Sequence, residues 1–140
     1  MTQRADTPSI GTGALITNDH GEVLLLLRSE NHQDSNQWSK PGGRIEFGET
    51  IEAALRREVM EEIGCEIEIG DFLHIMQNIG EKWHWIYLTY LAKIKSGELK
   101  NLEPAKHKDL RWFTLDNLPE NLTSGARLSI LEYKKWLKKK

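Results

Sequence analysis

Apolar residues recur along this chain with two different periods, and the two periods predict different elements. Between Ile51 and Ile63 the spacing is helical. At about 100° of rotation per residue, with Ile51 at zero, Leu55 falls near 40° and Val59 near 80°, a stripe that should face a core. Thr50 stands where an N-cap belongs, Glu49 and Glu52 lie near the positive end of the helix dipole, and Gly64 suits the C′ position. These signals bracket a helix over Ile51 to Ile63. A second helical pattern carries Ala126, Ile130, Tyr133 and Leu137 after Ser124 as a possible cap.

Strand patterns occupy much of the remainder. Ile10 to Ile16 and Val23 to Leu27 read as strands joined through Asn18-Asp19-His20-Gly21. Cys65 to Ile69, Phe72 to Gln77, Trp83 to Leu91 and Leu110 to Phe113 have strand character as well. In the third of these, Trp83, Trp85 and Tyr87 share one face, with His84 and Ile86 on the other. Gly11 and Gly13 lack the third glycine and following helix of a dinucleotide fingerprint, so they mark a close backbone approach within the sheet. Ser29 to Gln37 and Lys95 to Lys108 are polar, and the first reads as a loop beside a site. Mixed strands with one central and one terminal helix predict an α/β sandwich.

Composition narrows the possibilities without naming a function. The chain has 140 residues, the size of one domain with a single core, with no repeat or low-complexity linker to divide it. A net charge of −2 argues against a protein that coats nucleic acid. The single cysteine, Cys65, cannot form an intrachain disulfide, and no Cys/His cluster supports zinc. The longest aliphatic run, Val23 to Leu27, is too short for a signal peptide core or a membrane span, so a cytoplasmic location is expected. Five lysines among the last seven residues suit the negative end of a terminal helix and a solvated tail.

Three glutamates change the picture. On the helical count Glu58 falls near 340°, Glu62 near 20° and Glu61 near 280°, so two lie in line with the apolar stripe and one on its margin. Arg56, Arg57 and Met60 take the far side. Carboxylates at i, i+3 and i+4 repel one another unless a cation sits between them. Oxygen-rich ligands without thiolate favour Mg²⁺ or Mn²⁺. Taken alone, REVMEE also reads as an ordinary surface salt-bridge pattern.

The full segment Gly43 to Cys65, GRIEFGETIEAALRREVMEEIGC, decides between these readings. Its spacing, G-x5-E-x7-R-E-U-x-E-E-x-G-U with U a bulky apolar residue, places Gly43, Glu49, Arg57, Glu58, Val59, Glu61, Glu62 and Gly64 in register with the Nudix box, which it resembles. Eight of the nine specified positions match, and Cys65 departs where a larger aliphatic residue is usual. The resemblance implies the Nudix fold, an α/β/α sandwich with a mixed sheet and a loop-helix-loop box, and hydrolysis of nucleoside diphosphates linked to another moiety. It implies Glu58 and Glu62 as leading Mg²⁺ ligands, Glu61 assisting directly or through water, and a carbonyl near Gly42 or Gly43. It also implies a structural ion pair between Arg57 and Glu49.

The general base is either Glu58 or Glu103, because the Glu103-Pro104 segment is similar to the one that adds a metal-site glutamate in MutT-type members. Trp83 and Trp85, near the turn at Gly80 to Lys82, are candidates to stack on a nucleobase, and Arg28 is a candidate substrate contact. Trp112, Trp136, His74 and His84 read as packing or surface residues. Many members of the superfamily are dimers, so a homodimer is a possible assembly.

Three functions follow from this reading. The first is a Mg²⁺-dependent pyrophosphohydrolase of nucleoside triphosphates, including oxidised or noncanonical ones, yielding a monophosphate and pyrophosphate. The second is hydrolysis of ADP-ribose, a nucleotide sugar or a dinucleoside polyphosphate. ADP-ribose enzymes of the superfamily often carry a proline some fifteen residues beyond the box, where this chain has Gly80. The third is a noncatalytic nucleotide-binding module, which tends to lose box glutamates that are all present here.

Overall fold

Consecutive aliphatic residues in a strand require cover on both faces. The computed structural model, which describes residues 7–30 and 34–140, supplies that cover with two helices. In β1 (Ser9–Ile16) and β2 (Glu22–Arg28), Ala14, Ile16, Leu24 and Leu26 pack against Leu55, Val59 and Ile63 of α1 (Ile51–Ile63). Leu15, Val23 and Leu25 point the other way, onto Ala126, Ile130 and Tyr133 of α2 (Ser124–Lys138). Two cores on opposite sides of the strands make the α/β/α sandwich.

The strands form two sheets. In one, the order is β4 (Gly42–Arg44), β1, β6 (His84–Ser96), β5 (Glu66–Ile79), with β1 and β6 parallel and the other pairs antiparallel. The other is antiparallel, in the order β3 (Trp38–Ser39), β2, β7 (His107–Thr114). Asn18 makes the expected turn, its Oδ1 accepting the N–H groups of His20 and Glu22, but β1 and β2 then enter different sheets. Gly11 and Gly13 are close-approach positions: added Cβ atoms would lie 2.8 Å from the Tyr87 ring and from Lys40 Cε.

Helix α1 has the bounds its sequence predicts. Thr50 Oγ1 accepts from the Ala53 N–H at 3.1 Å, and Gly64 closes the helix in the left-handed conformation at φ 71°. Other boundaries differ from expectation. Cys65 to Ile69 and Phe72 to Gln77 belong to one strand, β5, whose register shifts around Gly70 and Asp71 absorb the polar interruption. Trp83 lies outside β6, which begins at His84 and continues past Leu91 to Ser96, into the stretch from Lys95 that reads as polar. β3 and β4 are too short for a periodic signal.

Thr123, not Ser124, caps α2, its Oγ1 accepting from the Ala126 N–H at 3.1 Å. Leu137 is 40% exposed and outside the core. Of the Ser29 to Gln37 loop, residues 31–33 lie outside the described residues. Among the described residues no helix is long and apolar enough to cross a membrane.

Candidate active site

The in-line position of Glu62 on α1 has a direct structural consequence, since its carboxylate is carried inward with the apolar stripe. Its side chain is 8% exposed, and Oε1 accepts the Gly42 backbone N–H at 2.8 Å. Glu58, one turn earlier, is half-buried and lies against the α-carbon of Gly43, where a Cβ would overlap its carboxylate. Gly43 is therefore set by close approach. Glu61, on the margin of the stripe, is about half exposed. All three line a cavity of about 570 Å³ whose wall includes β4, β6, the segment before β7 and the start of α2.

Arg57 organises these carboxylates from the outer side. Its Nε and NH2 reach Oε2 and Oε1 of Glu49 at 2.7 and 2.9 Å. NH1 reaches Glu58 at 2.9 Å and Glu61 at 3.2 Å, and NH2 also donates to the Arg44 carbonyl at 3.0 Å. The paired hydrogen bonds hold Glu49 down at about 2, with the Glu46 N–H assisting.

The segment after β6 returns to cap α1. Lys100 and Leu102 donate backbone N–H groups to the carbonyls of Ile63 and Glu62, two of the acceptors a helix C-terminus leaves open. This brings Glu103 to the cavity, with its own N–H bound by Asn101 Oδ1 at 3.1 Å. His107, the first residue of β7, follows on the same turn and is buried, with Nε2 3.6 Å from Glu62 Oε2. Glu62, Glu103 and His107 each offer one ligand atom, all within 4.8 Å of one another. The sequence reading assigned no role to His107, although its place four residues after Glu103, on one chain turn, was the available signal.

Electrostatics in this cluster call for a cation. Burial pushes Glu62 up to about 8; the Gly42 N–H opposes this, the charges of Glu58 and Glu103 reinforce it, and Arg28 pulls it down. Burial also raises Glu58, against the opposing pull of Arg57 and with a further push from Glu61 and Glu103. Converging carboxylates of raised proton affinity, with one imidazole and no thiolate, fit a divalent metal ion with hard ligands.

Other residues singled out in the sequence separate into two groups. Arg28, Trp85 and Tyr87 line the cavity, the two aromatic rings stacked with centroids 5.3 Å apart and planes 8° apart. Trp83 is not among the lining residues; it is 43% exposed, packs over Gly80 and donates to Asn78 Oδ1. Trp112 and Trp136 pack against the two cores. His74 is buried, with Nε2 2.7 Å from Ser129 Oγ, and His84 is half-buried.

Comparison with known proteins agrees with this geometry. A MutT Nudix hydrolase from Burkholderia pseudomallei superposes with a TM-score of 0.84 at 36% identity, covering 91% of this chain and 98% of that one. An ADP-ribose pyrophosphatase of Methanocaldococcus jannaschii is 28% identical over 92% of this chain and 75% of its own length. An NAD-capped RNA hydrolase, NudC, of Pectobacterium carotovorum is 29% identical over 81% of this chain, which spans only 42% of that protein. The NUDIX domain family matches residues 7–133, nearly the whole chain, so this protein belongs to the NUDIX domain family and is a hydrolase of acid anhydride bonds.

Proposed function

We propose that this Nudix hydrolase is a Mg²⁺-dependent pyrophosphohydrolase of nucleoside triphosphates, canonical or oxidised, releasing a monophosphate and pyrophosphate. One observation carries the reading. The cavity that gathers Glu58, Glu61, Glu62 and Glu103 is also lined by Arg28, Lys40, Arg44 and Lys106, so a metal-binding end and a cationic wall share one space. A polyanion bridging a metal and several cations matches that arrangement, and a triphosphate supplies more charge than a diphosphate esterified at both ends.

Glu58 and Glu62 are the proposed protein ligands for Mg²⁺ or Mn²⁺, with Glu103 and His107 beside them and Glu61 acting at the outer edge. When bound, the metal neutralises charge on the phosphate oxygens and makes a coordinated water more acidic. The chain's own groups do the positioning. Arg57 fixes the Glu58 carboxylate through NH1, and the Gly42 N–H fixes Oε1 of Glu62. Glu103, more open at 25% side-chain exposure, is the proposed base that accepts the proton of the attacking water. Trp85 and Tyr87 offer an aromatic face to a nucleobase, and stacking of this kind contributes about 1 to 3 kcal/mol per base. Trp83, outside the cavity lining, has no part in the proposal.

The name of the Methanocaldococcus jannaschii relative supports a second reading, hydrolysis of ADP-ribose. Product chromatography with Mg²⁺ and a panel of triphosphates, ADP-ribose, nucleotide sugars and dinucleoside polyphosphates separates the two. Preference for a triphosphate with pyrophosphate as product is expected; a preference for ADP-ribose would replace the substrate and keep the site.

A further inference from the structure

The α2 end of the cavity holds positive charge that the carboxylate end does not consume. β3 pairs with the chain entering α2: Trp38 N–H donates to the Asn121 carbonyl at 2.8 Å, and Thr123 N–H to the Trp38 carbonyl at 2.9 Å. This pairing sets Lys40 beside the first turn of α2. Its Nζ lies 3.4 Å from where a Cβ on Gly125 would be, and its stem crosses β1 in the space left by Gly13. The Lys40 ammonium makes no hydrogen bond or ion pair with the described residues. Burial and the neighbouring Arg28 lower it to about 8, which leaves it mostly charged at neutral pH.

Arg28 shows the same condition from β2. Its Nε is buried and without a partner among the described residues, and its charge acts on both Lys40 and Glu62, which puts it between the two ends of the cavity. The first-turn N–H groups of Ser124 and Gly125 have no intrahelical acceptor by helix geometry, and both residues line the cavity. The side chain of Thr123 is already engaged by the Ala126 N–H. Two unpaired cations and the positive end of a fifteen-residue helix converge on one volume. These groups are donors that face the cavity, and an anionic ligand there can accept from all of them.

We propose that Lys40, Arg28 and the first turn of α2 form an oxyanion subsite that holds the terminal phosphoryl group of the substrate, apart from the anhydride bond cleaved beside Glu58 and Glu62. The proposal rests on the triphosphate reading above and gives it a physical basis for selection. Lys40 stands two residues before Gly42, whose N–H binds Glu62, so the Cα atoms of residues 40 and 42 are at most about 7 Å apart and a single polyphosphate chain can engage both ends. A substrate with a free terminal phosphoryl group fills the subsite. A diphosphate esterified at both ends leaves its cations unpaired.

Titration calorimetry with inorganic pyrophosphate in EDTA tests the subsite without metal or turnover. Wild-type protein is expected to bind. Lys40→Met should weaken binding by about tenfold or more, the loss of one charge-assisted contact, whereas Glu62→Gln should bind no worse than wild type. Absence of binding by wild type, or wild-type affinity in Lys40→Met, overturns the proposal. Lys40→Met removes a charge that no described residue pairs and is expected to fold; if it does not, Arg28→Met carries the same tenfold expectation and the same overturning result. Metal-free binding by a wild-type protein that hydrolyses no triphosphate with Mg²⁺ would sink the triphosphate reading and leave the oxyanion subsite standing.

Discussion

Arg57 and Glu49 are joined by two parallel hydrogen bonds, 2.7 and 2.9 Å long, across the turn that starts α1. Because the third nitrogen of the same guanidinium holds Glu58 and Glu61, the loop and the carboxylates are fixed by one planar group. A lysine would supply the charge without that fork.

Arg57→Lys and Arg57→Ala are therefore expected to keep the fold and weaken metal activation. Loss of a group that orients metal ligands typically costs about 10- to 100-fold in metal affinity or activity. The check is the Mg²⁺ concentration for half-maximal turnover, measured beside circular dichroism. Unchanged Mg²⁺ dependence in Arg57→Ala would remove Arg57 from the orienting role.

Glu62→Gln preserves the acceptor for the Gly42 N–H while removing the buried charge. Turnover should be abolished with the fold kept, because the amide oxygen still accepts the Gly42 N–H. Mg²⁺-dependent hydrolysis at the wild-type rate would show that Glu62 is not a ligand.

Gly43→Ala tests the close approach at the box. Its Cβ would occupy space taken by the Glu58 carboxylate, so either the side chain or β4 must move. Displacement of a catalytic group by about 1 Å can cost on the order of 100-fold. We expect a loss of that order in kcat/KM with the secondary structure intact. Full activity in Gly43→Ala would mean that the Glu58 rotamer seen here is not the working one.

Much of this arrangement was legible because helix geometry is rigid. The rotation per residue placed Glu58 and Glu62 in line with the stripe and Glu61 on its margin, and the first two are the more buried. What escaped the sequence depends on contacts between distant segments. His107 reaches Glu62 only because Lys100 and Leu102 cap α1, and Lys40 meets α2 only because β3 pairs with residues 121–123. Trp83 looked equivalent to Trp85 by alternation, but β6 begins after it, so period-two reasoning no longer applies there. A two-residue strand such as β3 has too few positions for any period to show.

The two ends of the box titrate in opposite senses, and together they shape the stability of the metal-free protein. Glu49 is held at about 2 by Arg57, below its ordinary 4.5, so its contribution is present above 4.5 and is lost as pH falls toward 2. Glu62 is raised by burial to about 8, so the folded state binds more protons than the unfolded one between 4.5 and 8. Its effect is therefore favourable at low pH and is lost as pH rises through that window. In EDTA the melting temperature should decline from pH 5 to pH 8, the interval over which Glu62 is ionised in the unfolded chain and still largely protonated in the folded one. Saturating Mg²⁺ should flatten that decline, because a bound cation stabilises the native carboxylates, and Glu62→Gln should flatten it without metal. A melting temperature in EDTA that rises across the same interval in wild type would show that Glu62 is already ionised in the metal-free fold.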